Sequence, residues 1–295
     1  MNFLHRGSMA VVSRHHDVLI QRLSRHSVNY RDPLEQIPWE TLDPEAPWLP
    51  EKLLSLYGLP EYEGLTADDK IRLSQVEFVS FCELGLWLEA LFIQRLGSHS
   101  LQHLYHDAPS YHYQLHELRE EVGHSLMFLE LQHRAQLPFL TPPSQRPRLA
   151  SLFARWTPEA SAVFWATIFI GENVPDQMSR HILQDKSLPE AVLAITQLHR
   201  REEARHMAYA RITVQRRAQR LGTIQKKLLS PLLREVMRQF LQTSFFPGPA
   251  IYAAAGLAAP QRLARLARQN PIRQALLKDC AAPSREFLAS QGFSI

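Results

Sequence analysis

The segment HRREEARH at residues 199–206 combines two histidines with two adjacent carboxylates. His199, Glu203 and His206 follow the spacing i, i+4, i+7, so on an α-helix their side chains share a sector of about 60°. Imidazole nitrogen and carboxylate oxygen are ligands that iron and manganese accept. The segment therefore predicts half of a metal site, although an exposed charged helix often carries the same residue types. Glu202 is expected to point elsewhere.

A second segment, EEVGH, repeats part of this pattern. Glu121 and His124 are separated by the same Glu-x-x-His step as Glu203 and His206. The step places a carboxylate and an imidazole one helical turn apart, where both can bind one cation. Two such steps on two helices are typical of ferritin-like dinuclear carboxylate sites, which also take one Glu from each of the other two core helices. We therefore expect two further Glu ligands.

The third long helical segment contains one candidate. Glu172 is the only charged residue between Glu159 and Asp176. A lone carboxylate in such an apolar run is unfavourable unless it is paired, protonated or bound to a metal. We therefore predict that Glu172 is a ligand. The alternative is a glutamate at a helix bend near Pro175 that reaches solvent.

The first long helical segment contains two candidates, Glu83 and Glu89. They lie six positions apart, so their directions differ by about 120° on a helix and only one can face the bundle centre. We prefer Glu89 because Gly85, one turn earlier, leaves room beside it. Glu83 remains the alternative.

Other histidines and glutamates near these motifs are candidates for supporting roles. His99, His103 and His106 repeat the i, i+4, i+7 spacing, but no carboxylate lies among them. We expect them at the surface or beside the site. Three residues that flank Glu121 are candidates for holding a ligand imidazole in place. They are His116, Glu117 and Glu120.

Helical periodicity organises most of the chain, and strand patterns are nearly absent. Thr66 is a plausible N-cap for the first long helix, and Pro158 and Pro189 stand at first-turn positions of the third and fourth. The second long helix is expected over about 110–136. The remaining segments are a weak helix over 10–28, a proline-rich wrap over 32–64, a break at 137–148, a helix near 223–243 and helices in the C-terminal tail.

This pattern predicts an all-α fold, a ferritin-like helical bundle with four long core helices plus extra N- and C-terminal helices. We expect a single domain over residues 1–295. Its core would span about 66–243, with an N-terminal wrap over 1–65 and C-terminal helices over 244–295.

Composition excludes several classes of protein. The net charge is +4, and the 33 Lys and Arg residues are interleaved with 29 Asp and Glu. This distribution does not favour nucleic-acid binding. No run reaches about 18 apolar residues, and the N-terminus lacks a leader pattern, so we expect no membrane segment and a cytoplasmic location. Cys82 and Cys280 are far apart and are expected to be free thiols.

The order Glu, Glu-x-x-His, Glu, His-x-x-x-Glu-x-x-His contains a third histidine that ordinary di-iron bundles do not need. In this it resembles the di-iron aminoarene N-oxygenase family, the p-aminobenzoate N-oxygenase-like proteins. The resemblance covers roughly residues 66–215, and the N-terminal wrap and the C-terminal third contribute no matching residue. It implies seven metal ligands, namely Glu89, Glu121, His124, Glu172, His199, Glu203 and His206.

The resemblance implies a non-haem di-iron monooxygenase with two Fe ions (Fe²⁺/Fe³⁺), O₂ as co-substrate and an external electron donor, either a protein or a reductant. The expected substrate is an amine, small or tethered to a carrier protein, oxidised to hydroxylamine, nitroso or nitro in secondary metabolite biosynthesis. The cluster itself would be catalytic, with no separate catalytic residue. Four ionised Glu balance two ferrous ions, which supports this ligand set. A homodimer is compatible with the pattern.

Three alternatives remain open. One is a ferritin-like protein that oxidises and stores iron, although the extra terminal segments and the third histidine argue against it. Another is a di-iron hydroxylase or desaturase acting on carbon. The last is an interaction bundle without metal. The identity of the substrate and the extent of its oxidation lie beyond the sequence.

Overall fold

The computed structural model describes residues 17–141, 146 and 148–295, apart from the side chains of residues 99–106, 149, 150 and 154. Within this part of the chain every regular element is helical. The α-helices are 17–27 (α1), Pro33–Gln36 (α2), Pro60–Glu63 (α3), Ala67–His106 (α4), Ala108–Arg134 (α5), Arg148–Trp156 (α6), Ala162–Ile182 (α7), Glu190–Ala218 (α8), Thr223–Phe245 (α9), Pro249–Ala254 (α10), Pro260–Gln269 (α11) and Pro271–Ser290 (α12).

Two helical hairpins form the core. α4 packs against α5 across a single linking residue, Asp107, and α7 packs against α8 across a linker at 183–189. α5 also contacts α8, which joins the hairpins into a four-helix bundle. The long connection between the hairpins contains α6, as expected for a ferritin-like bundle. The predicted all-α bundle of four long helices is therefore confirmed.

α7 is the most deeply buried helix of the core. Most of its residues from Ala162 to Ile182 are buried, including Trp165 and Glu172. α8 covers one side of α7, while α9 and α12 cover others. A helix surrounded in this way must be apolar on every face, which explains the uninterrupted apolar run in its sequence.

The start of α4 follows the prediction. The backbone N–H of Asp69 donates to the Thr66 hydroxyl at 3.1 Å, and the Thr66 hydroxyl donates to the Asp69 carboxylate at 2.8 Å. These bonds satisfy donors at the helix start that have no partner within the helix.

The expected positions of two prolines need correction. Pro158 does not lie in the first turn of α7, because Ser161 caps that helix by accepting a hydrogen bond from the Val163 N–H at 3.1 Å. Pro158 instead begins the preceding turn, where its carbonyl accepts from the Ser161 N–H. Pro189 is the N-cap residue of α8, one position before the first turn. A serine side chain supplies the acceptor that a helix start needs, and this decides where α7 begins.

The proline-rich segment at 32–64 runs along the surface of the bundle as a series of short turns, as its prolines predict. α2, α3 and two 3₁₀ turns at Trp39–Thr41 and Glu51–Leu53 are its regular elements. It is hydrogen-bonded to α4, since the Trp48 N–H donates to the Ser74 hydroxyl at 3.1 Å and the Gln75 amide donates to two of its carbonyls.

Other differences from the sequence prediction concern the ends of the core. α6 was not predicted, because the prolines around 137–148 indicated only a break. Of the first predicted helix, residues 10–16 lie outside the described residues. None of the described helices combines the length and the apolarity that a membrane span requires.

Gly123 on α5 lies beneath the N-terminal segment, where an added Cβ would collide with the Tyr30 hydroxyl and the Pro33 ring. We expect Gly123→Ala to lower the free energy of unfolding by about 1–2 kcal/mol, because displacing this segment outweighs the gain in helix propensity. Chemical denaturation measures the change. Gly97→Ala on α4 is the control, since that site has open space. Equal stability of the two variants would contradict the close packing of Gly123 against Tyr30 and Pro33.

Candidate metal centre

The seven predicted ligands meet at the centre of the bundle. α4 supplies one of them, α5 supplies two, α7 supplies one and α8 supplies three. In that order they are Glu89; Glu121 and His124; Glu172; and His199, Glu203 and His206. Six of the seven side chains are at least 95 % buried, and that of His199 is 15 % exposed.

Four donors form a first subsite, composed of Glu89, His124, His199 and Glu203. His199 Nε2 lies 3.3 Å from Glu89 Oε1 and 3.3 Å from Glu203 Oε1. His124 Nδ1 lies 3.4 Å from Glu203 Oε1 and 3.9 Å from Glu89 Oε1. One ligand atom from each residue lies within 4.8 Å of the other three, so small side-chain adjustments suffice for one ion.

A second subsite is composed of Glu117, Glu121, Glu172 and His206, with the same close spacing of ligand atoms. His206 Nδ1 lies 3.1 Å from Glu121 Oε1. Glu117 was expected only as a possible supporting residue, yet its carboxylate belongs to this group.

The sequence contained a signal for Glu117 that was missed. Glu117, Glu121 and His124 follow the spacing i, i+4, i+7, the same as His199, Glu203 and His206. α5 and α8 therefore present equivalent triplets to the bundle centre. They differ only in their first member, which is a carboxylate on α5 and an imidazole on α8.

Two carboxylates lie between the subsites. Glu121 Oε2 lies 3.4 Å from His124 Nδ1, and Glu121 Oε1 lies close to His206 Nδ1. Glu203 Oε1 lies 3.4 Å from His124 Nδ1 and 3.6 Å from His206 Nδ1. Each of them reaches the histidines of both subsites, so each is positioned to bridge two ions.

A second layer of carboxylates orients the two buried histidines. His124 Nε2 lies 3.0 Å from Glu202 Oε2, and His206 Nε2 lies 2.9 Å from Glu120 Oε2. Arg205 contacts Glu120 at 2.9 Å and Glu202 at 3.9 Å. A carboxylate on Nε2 keeps the proton there and leaves the Nδ1 lone pair facing the cluster.

The sequence predicted that Glu202 points away from the ligand face of its helix, but not which group it contacts. Glu202 points away from the triplet on its own helix, but towards His124 on α5. Of the three flanking candidates, Glu120 holds an imidazole, whereas His116 contacts Arg119.

Buried donor atoms of the cluster have no hydrogen-bond partner among the described residues, as is typical of a metal site. Several of its buried atoms have no hydrogen-bond partner, and buried polar atoms in folded proteins are otherwise nearly always bonded. They are Glu117 Oε2, Glu172 Oε1 and Oε2, and Glu203 Oε2. Mixed oxygen and nitrogen donors suit iron and manganese, so the residues present fit such ions.

Burial and crowding shift the acid–base behaviour of the cluster. Burial and the Glu203 charge raise the pKa of Glu172 well above its usual value. Burial alone would lower the pKa of His124, but hydrogen bonds to Glu121 and Glu202 raise it to about 9. Without a cation such a cluster must hold protons, and metal binding would release them.

Glu83, the alternative ligand on α4, takes no part in the cluster. Its carboxylate accepts hydrogen bonds from Arg146 at 2.6 Å and from the backbone N–H groups of Leu140 and Thr141 at 2.7 and 2.9 Å. The structure therefore brings Glu89, and not Glu83, to the centre. The side chains of His99, His103 and His106 lie outside the described residues.

A cavity borders the first subsite on the side of α4 and α7. The space between its lining atoms, open mouth included, is about 410 Å³, but only about 30 Å³ of it can be reached by the centre of a water-sized molecule. Glu89, Glu172, His199 and Glu203 form one end of it. The remaining wall is apolar apart from one thiol and consists of Phe81, Cys82, Leu84, Gly85, Leu88, Phe92, Phe128, Gly171 and Pro175.

The chain therefore forms a ferritin-like helical bundle. At its centre, two adjacent groups of carboxylate and histidine donors, the arrangement of a dinuclear metal site, lie beside an apolar cavity. The sequence profile of the family described as "P-aminobenzoate N-oxygenase AurF" matches residues 13–292 of the chain. The chain belongs to this family, which places it among oxidoreductases of the oxygenase type. The resemblance drawn from the motifs is thereby confirmed.

Individual relatives are more distant. The chain is 25% identical over 243 residues to "Uncharacterized protein Rv0885" of Mycobacterium tuberculosis and to "Uncharacterized protein Mb0909" of Mycobacterium bovis, which covers 79% of the chain and 71% of each relative. Among solved structures it is similar to R2-like ligand-binding oxidase with aerobically reconstituted Mn/Fe cofactor, with a TM-score of 0.58, 14% identity and coverage of 95% and 92%. A second structure of that oxidase, after photoconversion, has a TM-score of 0.58, 15% identity and coverage of 94% and 92%. The structural likeness shows the fold.

Glu89→Ala and Glu83→Ala should have opposite effects. We expect Glu89→Ala to reduce bound iron below one ion per chain in the first subsite while the fold persists. Glu83→Ala should retain iron but lower the free energy of unfolding by about 3–5 kcal/mol, since it leaves Arg146 buried and unpaired. Metal analysis and denaturation separate the two. Iron loss in Glu83→Ala with full iron in Glu89→Ala would show that the wrong glutamate was assigned.

Glu202→Ala removes the partner of His124 without touching a donor of either subsite. We expect its metal affinity to fall by about 10–100-fold, because the imidazole loses its fixed tautomer and orientation. Competition with a metal chelator measures this change. Glu130→Ala is the control, since Glu130 forms an exposed ion pair with Arg134 on the same bundle. Equal metal affinity in the two variants would show that Glu202 does not orient the His124 imidazole for metal binding.

Proposed function

We propose that this chain is a dinuclear non-haem metal oxygenase that uses O₂ to oxidise the nitrogen of an amine. One observation carries the proposal. Eight donor groups, seven of them buried, form two subsites linked by Glu121 and Glu203, and the first subsite borders an apolar cavity, in a chain of a family named for an N-oxygenase. Glu89, His124 and His199 would hold the first ion.

Glu117, Glu172 and His206 would hold the second ion, while Glu121 and Glu203 would bridge the pair. The assignment extends the seven predicted ligands by one carboxylate, Glu117. Two iron ions are our first choice. An iron and a manganese ion are also compatible with the donors, and the structurally similar R2-like oxidase is described with a Mn/Fe cofactor.

When bound, such a pair of ions supplies the electrons that reduce O₂ and the site at which oxygen is transferred to nitrogen. The first oxidation consumes R–NH₂, O₂, two electrons and two protons, and yields R–NHOH and water. An external donor, a protein or a reductant, must supply the electrons. Further rounds would give nitroso and nitro products.

The protein residues bind, orient and exclude water. Glu120 and Glu202 hold protons on the Nε2 atoms of the two buried histidines, so that both Nδ1 atoms face the centre. The Phe128 ring packs against the His199 ring, with 5.0 Å between the ring centroids. An amine that enters the cavity would lie beside Glu89 and His199, next to the first subsite.

An oxygenase acting on carbon is the second candidate, because the apolar wall of the cavity would also accommodate an alkyl chain. The two reactions differ in the atom that receives oxygen. The same experiment also separates both from iron storage.

Iron-loaded, chemically reduced protein should convert aniline or methyl 4-aminobenzoate under ¹⁸O₂ into a product with ¹⁸O on nitrogen, detected by mass spectrometry. Without added reductant, ferrous ion consumption should stop near two ions per chain, because the eight donors provide for two ions. Glu203→Ala should lose both bound iron and product, since it removes a bridging carboxylate, whereas Glu130→Ala should retain both.

Label on carbon with none on nitrogen would favour the second candidate. Ferrous ion consumption far beyond two per chain, with a mineral product and unchanged amines, would indicate storage. A single stoichiometric zinc ion, or no metal after reconstitution, would contradict the dinuclear assignment.

A further inference from the structure

A polar pocket lies between the start of α5 and the end of α8, and the proposed metal chemistry does not use it. α8 supplies Thr213, Arg216, Arg217 and Arg220 to its wall, and Asp107, the N-cap residue of α5, stands opposite. The space between the lining atoms, open mouth included, is about 540 Å³, and the centre of a water-sized molecule can reach about 150 Å³ of it. A single water needs about 10–15 Å³ by this measure, so the pocket has room for a small polyatomic ion.

The pocket has a surplus of positive charge. Its three arginines carry three positive charges and Asp107 carries one negative charge, so two positive charges remain. Asp107 is already engaged, because its carboxylate accepts from the Ser110 backbone N–H at 3.2 Å and lies 3.9 Å from Arg216. The pocket adjoins the positive end of the α5 dipole and the negative end of the α8 dipole, whose effects oppose each other. The wall therefore favours an anion.

A second carboxylate is connected to the pocket wall through Gln114. The Gln114 amide donates to Glu159 at 3.3 Å and to the hydroxyl of Tyr209, a residue of the wall, at 3.2 Å. Burial lowers the pKa of both Arg95 and Arg217, and the Glu159 charge raises the pKa of each. Glu159 thus interacts with an arginine outside the pocket as well as with one inside it. Counting Arg95 and Glu159 together leaves the surplus of two positive charges unchanged.

The Thr213 hydroxyl distinguishes the pocket from an ordinary solvated groove. A threonine within a helix commonly donates to the carbonyl one turn earlier, and Thr196 on the same helix donates to the Val192 carbonyl at 2.8 Å. Thr213 is as buried as Thr196, with 4 % of each residue exposed, but its hydroxyl has no hydrogen-bond partner among the described residues. Buried polar atoms in folded proteins are nearly always bonded, so this hydroxyl indicates a partner that occupies the pocket.

Arg217 also has an unused donor. Its guanidinium lies over the Trp165 ring, with 5.8 Å between its central carbon and the ring centroid. Its buried Nη1 atom has no hydrogen-bond partner within the part of the chain that the structure describes. A guanidinium presents its N–H groups in a rigid fork that matches the oxygens of a phosphate. An oxyanion in the pocket would supply an acceptor for Arg217 and for Thr213 together.

We propose that this pocket binds the phosphate group of a ligand. A phosphate dianion matches the surplus of two positive charges, and its oxygens can accept from the guanidinium groups and from the Thr213 hydroxyl at the same time. A carboxylate has one charge and two oxygens, so it satisfies fewer of these donors. The proposal concerns binding alone and is independent of the proposed oxidation chemistry.

Calorimetry on metal-loaded protein, freed of unbound iron and kept without O₂, measures the affinity for three anions. They are inorganic phosphate, phenyl phosphate and acetate, tested at slightly alkaline pH, where phosphate monoesters are dianions. We expect inorganic phosphate to bind about tenfold more tightly than acetate, or better. Equally tight binding of phenyl phosphate would identify the phosphate group of a larger molecule as the ligand, and its exclusion would identify the free ion. Affinity for both phosphates no higher than for acetate overturns the proposal.

Two variants test the location. Thr213→Val and Arg217→Gln should each weaken phosphate binding about tenfold, because each removes a donor to a charged acceptor. Thr196→Val and Arg238→Gln are matched controls and should bind phosphate like the wild type. Thr196 has its partner within the helix, and Arg238 forms an exposed ion pair with Glu235. Unchanged affinity in both pocket variants would place the phosphate elsewhere, for example at the metal ions, and would contradict the proposal.

Chemical denaturation separates a binding role of Thr213 from a structural one. Without phosphate, Thr213→Val should be at least as stable as the wild type, because it removes a buried hydroxyl that has no partner. Added phosphate should raise the unfolding midpoint of the wild type more than that of the variant. A variant that is less stable without phosphate and equally stabilised by it would show that the hydroxyl serves the fold, and the proposal would fail. If Arg217→Gln does not fold, Thr213→Val decides the question.

Discussion

Ionisable groups buried at the centre of a helical bundle lose their solvation, and those of like charge repel one another. The rest of this structure depends on how the free-energy cost of both effects is compensated. Eight ionisable groups, seven of them buried, lie within two connected subsites. The imidazoles donate hydrogen bonds to outer carboxylates, while the inner carboxylates keep unpartnered oxygens that only cations or protons can satisfy. The bundle is therefore built around a charge balance that its own side chains do not complete.

Much of the site could be predicted from the sequence, because a helix converts spacing directly into direction. The two Glu-x-x-His steps and the isolated Glu172 identified donors on three helices. The i, i+4, i+7 spacing of Glu117, Glu121 and His124 also indicated Glu117, but Glu117 was not included among the predicted ligands. The role of Glu202 was not predictable, because its partner lies on another helix and depends on how α5 and α8 are placed relative to each other. The start of α7 was misjudged because a serine cap took precedence over a nearby proline.

The cavity could not be predicted for a related reason. Its wall combines residues of α4, α5, α7 and α8 that are distant in sequence, and two of them are glycines. Gly85 was expected to leave room beside Glu89, whereas in the structure the space at Gly85 is filled by the Phe128 ring. The pairing of Glu83 with Arg146 required the connection between the hairpins, where no helical spacing applies.

The outer hydrogen bonds have a consequence for how the protein assembles. His124 of the first hairpin is held by Glu202 of the second, and His206 of the second is held by Glu120 of the first. Neither hairpin alone contains a complete subsite or a fully oriented histidine. Docking of the hairpins and metal binding would therefore be thermodynamically coupled, and an ion bound at the centre would add to the stability of the docked hairpins.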